Sequence, residues 1–286
     1  MISDITLGQF FPGNSILHRL DPRTKIILAV FYIVALFVAD TPIAFIGLIL
    51  LTLALVAISK ISIKVVIKGM KPIIFVLIFT SILNIFMTVG VGEPLFALGF
   101  IKVYAEGLVR AIFMSVRVIM LIVGTSMFLT YTTSPITLTD GIESLLKPFK
   151  KIGLPVHAFA MMMSIALRFI PTLVEETEKI MNAQKSRGAD FSSGGLVKRA
   201  KALIPILVPL FVSSFKRADE LATAMESRCY RGDIGRTKFV KLEYHFRDLW
   251  WILAFIALTA AVICSKVLTE GLASNGLIYQ ILFYKI

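Results

Sequence analysis

The chain has 286 residues, 57% of them hydrophobic, and its 30 Lys and Arg outnumber 18 Asp and Glu for a formal net charge of +12. Mean hydropathy is +0.85, and soluble domains hold only about 45–50% apolar residues, so lipid has to cover part of this surface. A soluble protein this basic would point to nucleic acid, but here the basic residues alternate with apolar runs, which is the positive-inside pattern of a membrane protein.

Taken in order, residues 1–25 lack the basic n-region and short apolar core of a cleaved leader. The first apolar run is 26–39, bounded by Arg23 and Lys25 on one side and Asp40 on the other. A turn at Thr41-Pro42 leads into the second run, 43–58, which ends at Lys60. Each is shorter than the roughly 20 residues of a comfortable span, and the two read as a tight helical hairpin. The third run, 72–89, follows Lys60, Lys64, Lys68 and Lys71; Gly90, Gly92 and Pro94 break it, and 99–106 reads as a loop. The fourth, 109–130, carries Arg110 near one end and Arg117 inside. The last, 249–268, opens with Trp250 and Trp251, an aromatic pair suited to an interface. The tail 277–286 is apolar but too short to span.

Charge orients these runs. Three Lys/Arg precede the first run, four separate the second from the third, and eighteen lie in 132–248. The other side has only Lys102 and Lys285, while Arg110, Arg117 and Lys266 fall inside runs. The bias predicts a cytoplasmic N-terminus, five spans and an external C-terminus. The expected fold is therefore all-α: a membrane region with four spans over 1–131, a cytoplasmic helical region over 132–248, and a final span with its tail over 249–286.

The 132–248 segment departs from the span pattern. Thr139 or Asp140 is placed to cap a short amphipathic helix over 141–147, which Pro148 stops. Gly153 and Pro155 precede a long helical pattern over 156–186, interrupted by Pro171, apolar first and amphipathic later. A second long pattern over 196–228 repeats that plan, with Pro205 and Pro209 in its apolar centre. Arg168 and the three prolines favour long kinked helices at or below the membrane interface; a seven-span arrangement is the alternative.

Both patterns end alike. Ala183-Gln184-Lys185-Ser186-Arg187-Gly188 matches Ala224-Met225-Glu226-Ser227-Arg228-Cys229 at a displacement of 41 residues. Helix capping accounts for either ending alone, since a last-turn arginine favours the dipole by about 0.3–1 kcal/mol and glycine is the usual left-handed cap. Their repetition on neighbouring helices points instead to two equivalent docking tips, because guanidinium suits planar contacts with carboxylates or carbonyls. Met161, Met162 and Met163 form either an adaptable apolar surface for exchangeable partners or ordinary core and lipid contact.

Here a resemblance enters. Pro12-Gly13-Asn14-Ser15 followed by Leu17-His18-Arg19-Leu20-Asp21-Pro22-Arg23-Thr24-Lys25 resembles the N-terminal signature of the EcfT family, the transmembrane coupling subunits of energy-coupling factor (ECF) type ABC transporters. The two Ser-Arg endings look like that family's paired Ala/Ser-Arg-Gly motifs, and the likeness covers nearly the whole chain. It implies two cytosolic ABC-type ATPase subunits, one meeting Ser186, Arg187 and Gly188, the other meeting Ser227, Arg228 and Cys229. It also implies a separate substrate-binding membrane subunit, the S component, which captures a vitamin or metal ion and packs on the apolar halves of the long helices, where Met161, Met162 and Met163 lie. Cys229 stands where the family pattern has glycine; this puts the backbone role of the third position in question and leaves Arg231-Gly232 as another source of the turn.

No phosphate-binding G-x-x-x-x-G-K-[ST] loop occurs, so ATP hydrolysis is not expected of this chain. His18, His157 and His245 lack metal-ligand spacing, and no cofactor or resident metal is expected. Two rivals remain. A self-contained secondary transporter or channel requires ionisable groups along a path, yet acidic residues are scarce in the runs. A membrane enzyme acting on lipid substrates requires an acidic cluster, for which Glu175, Glu176 and Glu178 are the dense candidates, read here as a solvated helix face.

Overall fold

The computed structural model describes residues 10–88, 96–98, 101–189, 191, 195–232 and 242–273. Residues 1–9, the break at 90–94, the tail 277–286 and Lys285 lie outside the described residues. The chain divides into two compact units, one formed by 10–141 with 242–273, the other by 142–232.

The first unit is organised by how its helices begin. Helix α1 (Pro22–Val38) has proline in its first turn, and the Asp21 carboxylate accepts the Arg23 backbone N–H at 2.8 Å. These are the usual devices for satisfying the free N–H groups of a helix start. Asp248, 1% exposed, lies in the first turn of the last helix (Phe246–Ala273). Its Oδ2 accepts the N–H of His245 at 2.8 Å, and its Oδ1 accepts the N–H of Asp21 at 3.0 Å. One carboxylate thus answers the cap N–H groups of two helices and starts them side by side. At their far ends Lys266 Nζ lies 2.6 Å from Asp40 Oδ2, and the Thr41 and Ser265 hydroxyls are 3.3 Å apart. The two helices therefore run parallel and in register. At 1.5 Å per residue the stretch between the clasps is about 28 Å, close to the thickness of a hydrocarbon core.

Thr41 and Pro42 open α2 (Pro42–Ser59), with the Ala44 N–H donating to Thr41 Oγ1 at 3.4 Å. The expected hairpin is present. Leu28, Tyr32, Ala35 and Leu36 recur at helical spacing on α1 and are buried against Phe45, Leu48 and Leu55 of α2 and Phe255 and Val262 of the last helix. The antiparallel α5 is Ala105–Thr125, extended by a π-helical turn over Ser126–Tyr131. It adds Met120, and the π turn adds Phe128. The Tyr32 hydroxyl lies 3.0 Å from Met120 O and 2.7 Å from Thr52 Oγ1, a polar link across three helices inside this apolar core.

Between α2 and α5 stand α3 (Ile63–Met70) and α4 (Ile74–Met87), joined by a 3-10 turn containing Pro72. Val66 anchors α3 on Val123, Met127 and Tyr131, and Ser81 meets Ser115 at 2.8 Å between α4 and α5. The segment expected as a loop over 99–106 contains regular elements: β2 (Ile101–Val103) pairs antiparallel with β1 (Phe96–Leu98), and α5 already begins at Ala105. The expected short helix at 141–147 also starts earlier. It is α6 (Pro135–Leu146), opened by Ser134, whose hydroxyl accepts the Thr137 N–H at 3.3 Å, with proline at its first position. Ser-Pro is a stronger start signal than Thr139 or Asp140 in mid-helix.

Two charges read from sequence as flanking or isolated are held internally. Lys25, 1% exposed, places its ammonium 2.8 Å from Thr132 O, 3.1 Å from Thr133 Oγ1 and 3.4 Å from His18 O, using all three donors. Arg117 donates to Ala39 O at 2.6 Å and lies 3.8 Å from Asp40. It therefore joins the Asp40–Lys266 clasp.

In the second unit, α7 (Val156–Ser186) and α8 (Leu196–Ser227) are each continuous; Pro171 does not interrupt α7, nor do Pro205 and Pro209 break α8. The last helix is α9 in this order. Among the described residues, five helical stretches are long and apolar enough to cross a membrane: Pro42–Ser59, Ile63–Met87, Ala105–Tyr131, Val156–Ser186 and Phe246–Leu268. The number matches expectation but the membership differs. At 17 residues α1 is absent from the set, and α7 qualifies through its apolar first half.

Gly124 makes the close packing at Tyr32 possible: a Cβ there would lie 2.2 Å from the tyrosine ring, whereas one on Gly47 meets nothing within 4 Å. Gly124→Ala should lower the melting temperature of the purified protein, equivalent to about 1–3 kcal/mol of overpacking. Gly47→Ala should leave it unchanged or slightly higher, because alanine favours the helix. Thermal denaturation in detergent compares the two.

Candidate functional site

The ends of α7 and α8 share one backbone design. At the first, Gly188 N–H donates to Lys185 O at 2.9 Å and Ala189 N–H reaches back to Gln184 O at 3.0 Å. This is a Schellman cap with Gly188 at φ +86°. At the second, Cys229 N–H donates to Glu226 O at 2.8 Å and Tyr230 N–H to Met225 O at 3.0 Å. The bonds repeat position for position, and Cys229 itself takes the left-handed conformation at φ 55°. The backbone role of the third position is therefore kept despite the departure from glycine, and Gly232, at φ 75°, is not needed for it. A Cβ in this conformation carries a cost of about 1–2 kcal/mol.

The two serines also behave alike. Ser186 Oγ donates to Asn182 O at 3.1 Å, and Ser227 Oγ donates to Thr223 O at 2.9 Å. Each hydroxyl proton is thus committed to its own helix, one turn back. Arg187 and Arg228 stand just beyond as the cap residues; both are exposed, and neither forms an ion pair among the described residues. Two guanidinium tips built alike, neither ion-paired among the described residues, are what the structure adds to the repeated motif.

The pairing of α7 with α8 sets where those tips lie. Glu176 of α7 accepts from Ser213 Oγ at 2.5 Å and from Arg217 Nη2 at 2.7 Å, both on α8. Farther back on α7 and farther forward along the chain after α8, Tyr230 Oη donates to Met161 Sδ at 3.2 Å. The helices are therefore antiparallel. Arg187 lies eleven residues past Glu176, and Arg228 eleven past Arg217, in opposite directions; at 1.5 Å per residue the tips stand about 33 Å apart.

Glu176 and Arg217 are separated by 41 residues, the same displacement as the two tips. Equivalent positions of the repeat therefore meet at the crossing, as they do at a local two-fold axis. These contacts give Glu176 two partners on α8 that its reading as part of a solvated helix face did not include. Its signal was available in the sequence as opposite charges at the repeat spacing, but a charged helix face hides a single partnered member.

Met162 and Met163 are exposed, while Met161 meets Tyr230. On α8, Leu203, Ile204, Leu207, Val208, Phe211, Val212 and Phe215 are likewise exposed, with the Phe211 and Phe215 rings 4.6 Å apart. Arg168 is exposed. Among the described residues no group of three or more His, Cys, Asp or Glu side chains is placed to hold a metal ion.

The fold and these ends define a multi-pass helical membrane protein carrying an antiparallel helix pair with two matched arginine tips. The chain belongs to the CbiQ family, whose model, described as cobalt transport protein, matches residues 13–239. It is 54% identical over 267 residues to the energy-coupling factor transporter transmembrane protein EcfT of Clostridium kluyveri, covering 93% of this chain and 98% of that one. It is 50% identical to the protein of the same name from Bacillus subtilis over 260 residues, 91% of this chain and 97% of that one. The same-named protein of Lactococcus lactis subsp. cremoris is 46% identical over 262 residues, 92% of this chain and 98% of the relative.

The two caps give a paired prediction. Cys229→Gly should relieve the left-handed strain and Gly188→Ala should introduce it, each by about 1 kcal/mol and with opposite sign. Amide hydrogen exchange at 184–189 and 225–230 should slow about fivefold in the first variant's cap and quicken by a similar factor in the second's.

Proposed function

We propose that this chain is the transmembrane coupling subunit of an ECF-type ABC transporter. Two cytosolic ATPase subunits dock on the helix tips, one on Ser186, Arg187 and Gly188, the other on Ser227, Arg228 and Cys229. A separate substrate-binding membrane subunit, which selects a vitamin or metal ion, packs on the exposed apolar halves of α7 and α8, including Met162, Met163, Phe211 and Phe215. Closure of the ATPases on ATP moves the tips, and the helices carry that motion to the substrate-binding subunit. The chain itself contributes mechanical relay, and hydrolysis belongs to its partners. The region 1–131 and the final helix anchor the assembly in the cell membrane, with the N-terminus and the tips of 132–248 on the cytoplasmic side.

The observation that carries this reading is the duplication of one exposed tip. Both ends have the same cap, the same serine bond and a guanidinium without an ion-pair partner among the described residues, and the antiparallel pair holds them about 33 Å apart. One tip would be a capped helix end; two on opposite arms suit two copies of one kind of partner. The relatives' names as energy-coupling factor transmembrane proteins support the same assignment.

Reversing either charge tests it. Arg187→Glu or Arg228→Glu, each with a fold check by thermal denaturation, should lower the amount of ATPase subunits co-purifying with the tagged chain at least about tenfold, as expected when a charge is placed against its former counterpart in an interface. Uptake in cells should fall with it. Full assembly and uptake by both variants would remove the docking assignment.

A further inference from the structure

The crossing of α7 and α8 combines three features. Its contacts are polar, with Glu176 holding both Ser213 and Arg217 at 2.5 and 2.7 Å. It lies where the 41-residue repeat folds back on itself, so the two C-terminal arms beyond it are equal in length. And little of the pair is deeply buried: in α7 only Val156 and Ala160, and in α8 only Ile206, are buried among the described residues, and beyond the crossing Tyr230 Oη ties one arm to Met161 Sδ at 3.2 Å. Most of the apolar surface of α8 faces outward instead of being packed against α7. A helix pair without a deep shared core has little to define its crossing angle except the specific contacts where the helices meet.

We propose that Glu176 and Arg217, seated by Ser213, form the pivot of the pair: positioning residues that set the separation of the two arginine tips and make their movement reach the apolar arms. Each tip is eleven residues, about 16 Å, from the pivot, and each apolar arm extends about 30 Å the other way, to Val156 and Leu196. A 10° change in crossing angle therefore displaces a tip by about 3 Å and the start of the opposite arm by about 5 Å. The arrangement is a scissor lever whose short arms meet the docking partners and whose long arms carry Phe159, Met162, Met163, Leu207 and Phe211. An ion pair suits the pivot because it fixes a point of contact while permitting rotation about it, whereas interdigitated side chains would restrict the angle to one value. The transmission half of this proposal rests on the coupling function proposed above; the geometric half does not.

The test separates the two halves. In a full-length background carrying Cys229→Gly and Cys264→Ser, spin labels on Lys185→Cys and Glu226→Cys, the repeat-equivalent positions one turn before the caps, should give one narrow distance near 30 Å by pulsed electron resonance. Glu176→Ala, or Arg217→Gln, should broaden or shift that distribution, and the exchanged pair Glu176→Arg with Arg217→Glu should restore it. An unchanged distribution in both single variants, or no restoration by the exchange, overturns the pivot. In the assembled transporter, the single variants should retain ATPase subunits and ATP hydrolysis while uptake falls about tenfold, and the exchange should recover uptake. Uptake that is unaffected, or lost together with assembly, overturns the transmission role. Loss of the distance change refutes the pivot even if the arginine tips dock as proposed, and failure of tip docking leaves the distance result standing.

Discussion

A helix leaves its first N–H and last C=O groups without partners, and in lipid no water is present to take them. Much of this structure follows from how those groups are answered. Asp248 is the clearest case, because its two oxygens accept cap N–H groups from two different helices. That single carboxylate fixes the relative height of α1 and α9. Once their starts are level, two helices with the same rise per residue stay in register, and the Asp40–Lys266 pair closes the far end. The apolar residues between the clasps then have a defined neighbour, which is why the Tyr32 ring can sit against the bare backbone of Gly124.

The same constraint, met differently, shapes the second unit. There the helix ends are exposed, and the C-terminal carbonyls are answered by the next two N–H groups of the chain, with no tertiary contact. A cap completed locally leaves the neighbouring arginine free of structural duty. This explains how Cys229 can replace glycine without changing the end's form: the six positions 225–230 cooperate in the cap, and the strain at one is outweighed by the bonds that the others complete. The tips are therefore rigid as local structures, while the helices that carry them are held together chiefly at a polar crossing.

The apolar surfaces of the two units have different consequences. In the first, the outward faces of α1, α2, α4 and α9 suit hydrocarbon, and ionic contacts gather near Asp40 just past the end of α1, where Lys266 and, from inside α5, Arg117 meet it. In the second, α7 begins apolar enough to enter a membrane yet ends in exposed charge, and α8 has an extended apolar face that leaves Phe211 and Phe215 open. Amphipathic helices of this kind need a partner of matching surface, in keeping with membership of a family whose relatives are transporter components.

Local sequence settled what local physics controls. The apolar runs, the Thr41-Pro42 turn, the two long helices and the matched Ser-Arg endings were all legible, because span length, N-caps and last-turn chemistry depend on neighbours within a few residues. Even so, neighbouring signals competed: Ser134-Pro135 started α6 ahead of Thr139 and Asp140, and helix continuity overrode Pro171. Tertiary structure alone decided which charges were partnered. Lys25 read as an interfacial flank but lies buried under three oxygens, Arg117 found Ala39 and Asp40, and Glu176 found an arginine 41 residues away. A lone charge in a sequence has the same letter whether solvated or paired. Its partner is fixed only when helices distant in the chain pack together, and the distance between the two arginine tips follows from that packing.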